Sequence, residues 1–216
     1  MFIIDFIMHV DEHLLYVVQH YGLGIYLLLF AVIFIETGLV IFPFLPGDSL
    51  LFAAGALVSI SEGILKLPLI LGICILASIL GNTVNYWVGR SLGTQVLYSK
   101  KVSRFIKEAE VKKAENFFND KGKYTIFIGR FIPFIRTFIP FIAGSSHMKI
   151  TTFTFYNVIS AICWVGIATF AGYFLGNIPF IHEHFSIIML GIIAVSLVPI
   201  IFSALKGMRN KGEVVQ

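Results

Sequence analysis

The stretch RFIPFIRTFIPFIAG, residues 130–144, sets two arginines in a segment that is otherwise apolar apart from one threonine. Arg130 and Arg136 remain charged in almost any environment. Pro133 and Pro140 remove backbone N–H groups that an unbroken helix would use. A lipid-exposed transmembrane helix tolerates neither feature well. The stretch therefore predicts a broken membrane segment whose arginines face a partner or a cavity.

The composition of the whole chain is that of a membrane protein. Of its 216 residues, 57% are hydrophobic and 13% are charged, whereas soluble domains carry about 25% charged residues. The mean hydropathy is +0.89, and several apolar runs approach the roughly 20 residues that cross a bilayer. Cys74 and Cys163 lie inside apolar runs without metal-ligand spacing. We therefore exclude an ordinary soluble domain and expect no metal or cofactor.

The pattern of apolar and charged residues predicts a single membrane domain over residues 1–216. Its expected parts are an interfacial helix at 1–20, a first repeat at 22–93 with a hairpin at about 43–60, a basic amphipathic cytoplasmic loop at 94–123, a second repeat at 124–176 with a hairpin at about 124–148, a last transmembrane helix at 185–205 and a cytoplasmic tail at 206–216. The N-terminal helix has an alternative interpretation, in which it packs on the rest of the protein from the aqueous side.

Charge distribution sets the expected topology. Lysine and arginine mark the cytoplasmic side of a membrane, which places both the 100–123 loop and the tail inside. If 124–148 crossed the membrane once, the tail would lie on the wrong side, so this segment is expected to enter and return. The same logic makes 43–60 a hairpin that enters from outside. The predicted fold is an all-α polytopic membrane protein, an inverted-topology repeat with two opposed re-entrant helical hairpins and about four transmembrane helices.

Similar sequence motifs in the two predicted repeats support a repeat architecture. In each predicted hairpin two prolines precede an Ala-Gly pair, and each following span ends in Gly-x-x-x-Gly. The matching positions are Pro43, Pro46, Ala54 and Gly55 against Pro133, Pro140, Ala143 and Gly144, and Gly89 and Gly93 against Gly172 and Gly176. Glycines at this spacing commonly allow membrane helices to pack closely. The four prolines are interpreted as the hairpin breaks.

Four charged side chains fall well inside the apolar segments: Glu36, Asp48, Arg130 and Arg136. A charge at the bilayer centre costs at least about 2.5 kcal/mol, so such residues are functional candidates. The arginine fork suits phosphate, which makes Arg130 and Arg136 candidate phosphate ligands. A low-dielectric environment favours protonated carboxylates, which makes Glu36 and Asp48 candidates for proton coupling. The alternative is that the four charges form two buried ion pairs that hold the hairpins together.

Other candidate sites are weaker. GSSH, residues 144–147, resembles the PSGH element of membrane lipid phosphatases, but the remaining elements of that site are missing, so no enzyme is expected. His182 and His184 lack further metal ligands. Arg90 is expected to extend to the cytoplasmic face. The 100–123 segment is expected either to attract anionic headgroups or to be a solvated amphipathic helix, and no nucleic-acid partner is expected.

Three blocks of the chain resemble the DedA family of bacterial inner-membrane proteins. They are ETGLVIFPFLPGDSLLFAAG at 36–55, GNTVNYWVGRSLG at 81–93 and GRFIPFIRTFIPFIAGSSHM at 129–148. The resemblance implies a multi-pass protein of the bacterial inner membrane that moves undecaprenyl phosphate or a phospholipid with dependence on the proton-motive force. It also implies that the functional charges are those at the four positions named above.

The sequence therefore favours a membrane lipid transporter or flippase for a phosphate-headgroup lipid, with protons and the membrane as its other partners and the C-terminus in the cytoplasm. One alternative is a proton-coupled exchanger of small cations or drugs, and another is a membrane structural or assembly factor without transport. The glycine-rich spans are compatible with a homo-oligomer.

Overall fold

The structure, a computed structural model, describes residues 10–38, 47–60, 63–93, 108–132 and 135–178. Regular structure in these ranges is entirely helical, which confirms the all-α prediction for this part of the chain. The α-helices are α1 (Val10–Gly38), α2 (Gly47–Ile60), α3 (Leu67–Leu92), α4 (Glu108–Lys121), α5 (Thr125–Ile128), α6 (Ile135–Ser145) and α7 (Ile150–Gly176).

Helices α3 and α7 are long and apolar enough to cross a membrane. They contain 26 and 27 residues, and at 1.5 Å per residue each is about 40 Å long, more than the roughly 30 Å hydrocarbon core. Large apolar side chains on both helices are exposed, among them Leu76 at 51% and Ile162 at 51%. A soluble core helix would bury such side chains, so these faces suit lipid. The predicted last span at 185–205 and the tail at 206–216 lie outside the described residues.

Helix α1 runs through the expected boundary between an interfacial helix and the first span. Residues 10–20 continue without interruption to Gly38, although Gly22 and Gly24 each disfavour a helix by about 1 kcal/mol. The uninterrupted apolar run beyond them outweighs this local preference. Residues 1–9 lie outside the described part, and the interfacial position of 1–20 stays a prediction.

The two predicted hairpin segments contain helices too short to cross a bilayer. Helix α2 has 14 residues and α6 has 11, so they are about 21 and 17 Å long against a core of roughly 30 Å. The described residues of neither segment form one continuous spanning helix. Insertion of either segment into the membrane as a re-entrant hairpin stays a prediction.

The chain folds back on itself between α5 and α6. A 3₁₀ turn at Gly129–Phe131 ends at Ile132, whose backbone is extended with φ −102° and ψ 115°. A Cβ atom built on Gly129 would lie 3.0 Å from the Ile139 side chain, whereas ten residues of straight helix separate two positions by about 15 Å. The break predicted in this segment is therefore located at 129–132.

One predicted break is wrong. Pro140 lies inside α6 and is buried. A proline there removes the hydrogen bond to the carbonyl of Arg136, but membrane helices tolerate proline where neighbouring elements satisfy the backbone. Pro43, Pro46 and Pro133 lie outside the described residues.

The chain divides into two compact units. Unit 1 contains residues 1–22, 46–66 and 169–216, and unit 2 contains 23–45 and 67–168. In unit 2, α6 crosses α3 in backbone contact: a Cβ on Gly144 would overlap the carbonyl of Tyr86, and one on Gly89 would overlap the carbonyl of Phe141. Only glycine permits this approach at either position.

Unit 1 contains a crossing built in the same way, between α2 and the end of α7. A Cβ on Gly55 would overlap the carbonyl of Thr169, and one on Gly172 would overlap the carbonyl of Phe52. In both units the glycine of an Ala-Gly pair packs on a helix that carries the first glycine of a Gly-x-x-x-Gly. The repeated Ala-Gly and Gly-x-x-x-Gly motifs therefore correspond to a repeated packing contact between helices.

Helix α4 confirms that residues 108–121 of the basic loop are helical and amphipathic. Val111, Ala114 and Phe118 are buried in one core cluster with Phe138 and Ile142 of α6. Their spacing of three and four residues places them on one face, while Lys112 and Lys113 are exposed. The helix thereby covers α6. Residues 94–107 lie outside the described part.

Candidate functional site

A small polar cavity lies inside unit 2. It is lined by Glu36, Thr37, Asn82, Arg130, Arg136, Thr137 and Trp164. Its volume is about 20 Å³, which is enough for about one water molecule. The cavity must therefore widen before it can hold a phosphate or any larger group.

Glu36 and Arg136 form a buried ion pair across this cavity. Arg136 Nη2 donates to Glu36 Oε1, and the glutamate side chain is 2% exposed. Glu36 lies in the last turn of α1, and Arg136 is the second residue of α6. The positive end of a helix dipole disfavours a cation in the first turn, so the position of Arg136 is not explained by the stability of α6. The carboxylate of Glu36 compensates the arginine charge.

Arg130 reaches the cavity from the 3₁₀ turn and is only 5% exposed. Its Nη1 atom donates to Asn157 Oδ1 and to Ser160 Oγ, both at 3.2 Å. Ser160 Oγ donates in turn to the Asn157 carbonyl at 3.0 Å. Two hydrogen bonds of this buried guanidinium thus go to neutral acceptors on α7, and they orient it toward the cavity.

The two arginines share one aromatic ring. The guanidinium carbon of Arg130 lies 5.1 Å from the centre of the Trp164 ring, and that of Arg136 lies 5.4 Å from it. Each contact stabilises a cation by about 0.5–2 kcal/mol. The ring therefore holds two positive charges close together, an arrangement that attracts an anion.

An amide network connects α3 and α7 beside the arginines. Asn82 Nδ2 donates to Asn157 Oδ1 at 2.9 Å, and Asn157 Nδ2 donates to the Ile79 carbonyl at 3.2 Å. Asn157 Oδ1 therefore accepts from both Asn82 and Arg130. This shared oxygen couples the position of Arg130 to the contact between the two spanning helices.

Asn85 connects three elements. Its Nδ2 atom donates to the carbonyl of Thr137 at 2.9 Å and to that of Thr37 at 3.3 Å. Thr37 ends α1 next to Glu36, and Thr137 follows Arg136 in α6. Asn85 therefore fixes the two helix ends that carry the ion pair.

Sequence reasoning missed several side chains of the site. Asn82 and Asn85 were visible only as polar interruptions of an apolar span, and Asn157, Ser160 and Trp164 were not singled out. The last three lie at spacings of three and four on one face of α7. A polar-aromatic face on an otherwise apolar span was the signal that could have identified them.

The structure brings together three of the four predicted charges: Glu36, Arg130 and Arg136. Asp48 belongs to unit 1, where it is exposed in the first turn of α2, a position that suits an acidic side chain. Its role in the site stays a prediction. One of the two expected ion pairs, Glu36 with Arg136, is present.

The remaining candidates have simpler local contacts. His147 Nδ1 lies 3.0 Å from the carbonyl of Ser145 and the residue adopts a positive φ of 53°. Within the described ranges, no three His, Cys, Asp or Glu side chains are grouped so that they could hold a metal ion. His182 and His184 lie outside the described residues.

The chain is similar to a known domain family and to named membrane proteins. The model described as the VTT domain matches residues 45–174. Protein DedA of Escherichia coli K12 is 43% identical over 198 residues, which cover 92% of this chain and 90% of that protein. An uncharacterised membrane protein of Mycobacterium leprae is 40% identical over 185 residues, covering 86% and 82%. Inner membrane protein YghB of Escherichia coli K12 is 34% identical over 183 residues, covering 83% and 78%.

No solved structure matches the chain. The VTT-domain match includes both glycine crossings and both arginines of the cavity, and the relatives are matched over most of their length. Together with two helices that can span a bilayer, these similarities establish that the chain belongs to the DedA family of membrane proteins.

Proposed function

We propose that this protein moves a phosphate-headgroup lipid, undecaprenyl phosphate or a phospholipid, across the bacterial cytoplasmic membrane without chemical conversion. The observation that carries the proposal is the convergence of Arg130 and Arg136 on the Trp164 ring, in a cavity that also contains Glu36. Two arginines in a low-dielectric cavity attract an anion, and their planar forks suit phosphate oxygens.

The lining charge favours phosphate over a cationic substrate. Arg130 and Arg136 contribute two positive charges and Glu36 contributes one negative charge. A small cation or cationic drug would be repelled by the two arginines. A phosphate monoester carries about −1.5 to −2 at pH 7, so it complements this lining well.

The Glu36–Arg136 pair offers a mechanism of proton coupling. Phosphate and the Glu36 carboxylate compete for the same guanidinium, so protonation of Glu36 releases Arg136 toward the lipid headgroup. Proton binding and phosphate binding then favour each other, and both leave together when the cavity opens to the other side. We propose Asp48 as a second proton-binding group.

The small size of the cavity restricts entry to the headgroup. At about 20 Å³ it holds about one water molecule, so in this proposal it widens around the phosphate while the lipid tail stays in the bilayer. Moving a bare phosphate through hydrocarbon is the main barrier to lipid transfer, and the polar cavity replaces the water that the headgroup loses. In this proposal the hairpins insert from opposite leaflets, and the C-terminus lies in the cytoplasm.

Reconstitution in liposomes tests the proposal. Transfer of polyprenyl phosphate is followed by its accessibility to an added soluble phosphatase, and transfer of phosphatidylglycerol by quenching of a fluorescent tail-labelled analogue. Both are measured with and without a proton gradient. We expect Arg130→Lys, Arg136→Lys and Glu36→Gln to slow transfer at least about tenfold. Each lysine variant loses a guanidinium that can donate two parallel hydrogen bonds to phosphate, and Glu36→Gln loses a proton-binding group.

Lys113→Arg on the exposed face of α4 is the matched control and should transfer lipid at the wild-type rate. Wild-type protein that transfers neither lipid, with or without the gradient, would favour a structural or assembly role. Full transfer by both arginine variants would assign the charges to a structural ion pair. Release of inorganic phosphate before the soluble phosphatase is added would indicate an enzyme.

A further inference from the structure

A second, larger pocket lies at the C-terminal end of α3. It is lined by Trp87, Arg90, His147, Lys149, Ile150 and Thr151, and its volume is about 380 Å³. Asn82 of the central cavity precedes Arg90 by eight residues, which is about 12 Å along the helix axis. The two pockets are therefore lined by different residues and lie two turns apart along the same helix.

This interfacial pocket, as we name the space lined by those six residues, has a cationic lining. Arg90 and Lys149 are both exposed, and the six lining residues include no acidic side chain. Arg90 contacts neutral groups. Its Nη1 atom donates to the Tyr86 hydroxyl at 2.9 Å, and its guanidinium carbon lies 5.8 Å from the centre of the Trp87 ring. Arg90 was expected to extend to the cytoplasmic face, and these contacts hold its side chain at the end of α3.

The backbone of the pocket is also well defined. The Tyr86 hydroxyl donates to the Met148 carbonyl, and Arg90 Nη1 lies 3.5 Å from the same oxygen. These contacts fix the turn that carries His147 and Lys149 against the end of α3. The positive charges thus converge from two separate segments on one space.

An exposed tryptophan suits a position of the pocket at the edge of the membrane. Trp87, which lines the pocket, is 49% exposed and lies about one turn before the end of α3. Tryptophan and tyrosine are enriched where the hydrocarbon meets the headgroups. Cations at that depth meet lipid phosphates rather than acyl chains.

We infer that the interfacial pocket binds the phosphate group of an anionic membrane lipid, with Lys149 and Arg90 as its ligands and Trp87 against the lipid below the headgroup. This binding site is separate from the cavity of Arg130 and Arg136. It requires the membrane location but no transport, so its test is independent of the proposed function.

Tryptophan fluorescence provides a local readout, because the chain contains two tryptophans. Trp164→Phe leaves Trp87 as the reporter, and a Trp87→Phe chain measures the Trp164 background. The full-length protein is reconstituted in phosphatidylcholine bilayers that contain increasing fractions of brominated phosphatidylglycerol or, separately, brominated phosphatidylcholine. We expect brominated phosphatidylglycerol to quench Trp87 at a several-fold lower fraction.

Lys149→Gln in the reporter chain should weaken the preference for phosphatidylglycerol about fivefold, the effect of one cation near an anionic surface. Lys149→Arg should retain it, and Lys113→Gln, which removes the same charge outside the pocket, should leave it unchanged. Lys149 is exposed, so Lys149→Gln is expected to fold.

Three results would overturn the inference. Equal quenching by the two brominated lipids would exclude a headgroup preference at Trp87. An equal loss of preference in Lys113→Gln would assign the effect to the general surface charge. Loss of the preference in millimolar inorganic phosphate, but not in chloride of equal ionic strength, would identify soluble phosphate as the ligand.

Discussion

The two glycine crossings share a backbone design and differ in chemistry. In unit 1, Gly55 and Gly172 allow α2 to pack against α7. In unit 2, Gly144 and Gly89 allow α6 to pack against α3. At each of these glycines a backbone carbonyl of the facing helix occupies the position that a Cβ atom would take. When the crossings are aligned on these glycines, Val165 and Ala168 stand where the unit 2 crossing has Asn82 and Asn85.

The same alignment places Gly47 opposite Arg136. The amides and the guanidinium thus occur in only one of two crossings that pack alike. Close helix packing is therefore common to the two crossings, while the polar side chains are found beside the unit 2 crossing. The two can therefore be disrupted separately.

The largest expected effect is loss of folding when either crossing is forced apart. Gly55→Val and Gly144→Val each place a Cβ against a backbone carbonyl that cannot move aside, and we expect a loss of about 3 kcal/mol or more. Monodisperse yield after detergent extraction and the Tm of the purified protein measure it. Gly72→Val and Gly166→Val, at positions with open space, are the controls, and equal damage there would contradict the role of close packing.

The second effect separates the chemistry of unit 2 from its packing. Glu36→Ala leaves the Arg136 charge buried without its carboxylate and should cost about 3–5 kcal/mol of unfolding free energy. The double variant Glu36→Ala/Arg136→Ala should recover part of this loss.

Denaturant unfolding in detergent, analysed as a double-mutant cycle, measures these values. A double variant whose loss of unfolding free energy equals the sum of the losses in Glu36→Ala and Arg136→Ala would show that the ion pair does not couple Glu36 to Arg136.

A smaller effect concerns the amide that connects three helices. Asn85→Ala removes the hydrogen bonds to the carbonyls of Thr37 and Thr137, and should lower the unfolding free energy by about 1–3 kcal/mol. Thr83→Ala removes only a hydrogen bond to the Ile79 carbonyl of the same helix and should change it by less than about 0.5 kcal/mol. Equal losses of unfolding free energy in the two variants would mean that the hydrogen bonds from Asn85 to α1 and α6 do not stabilise the protein.

The smallest effect is a gain. Gly72→Ala in α3 and Gly166→Ala in α7 introduce a better helix former where nothing lies within 4 Å, so each should raise stability by about 0.5–1 kcal/mol. A small rise in Tm would confirm it. A fall at either position would indicate a close contact there, as at Gly55 and Gly144.

The sequence by itself determined the class of the fold. Hydrophobic runs and their period predicted helices, the charge balance indicated a membrane protein, and the basic loop was predicted to be amphipathic, because these patterns are local. The repeated Ala-Gly and Gly-x-x-x-Gly elements predicted a repeat, and in the structure these glycines form the two crossings. The family followed from short blocks whose order and spacing are specific.

Only the tertiary structure decided which groups meet. On a straight helix Arg130 and Arg136 face directions about 120° apart, and the turn at 129–132 is what directs both to Trp164. Glu36 reaches Arg136 across 100 residues, a contact without any local pattern. Pro140 sits inside a helix because neighbouring elements offset its missing hydrogen bond. Local sequence specifies periodicity and charge, whereas the cavity depends on chain reversal and on contacts between distant segments.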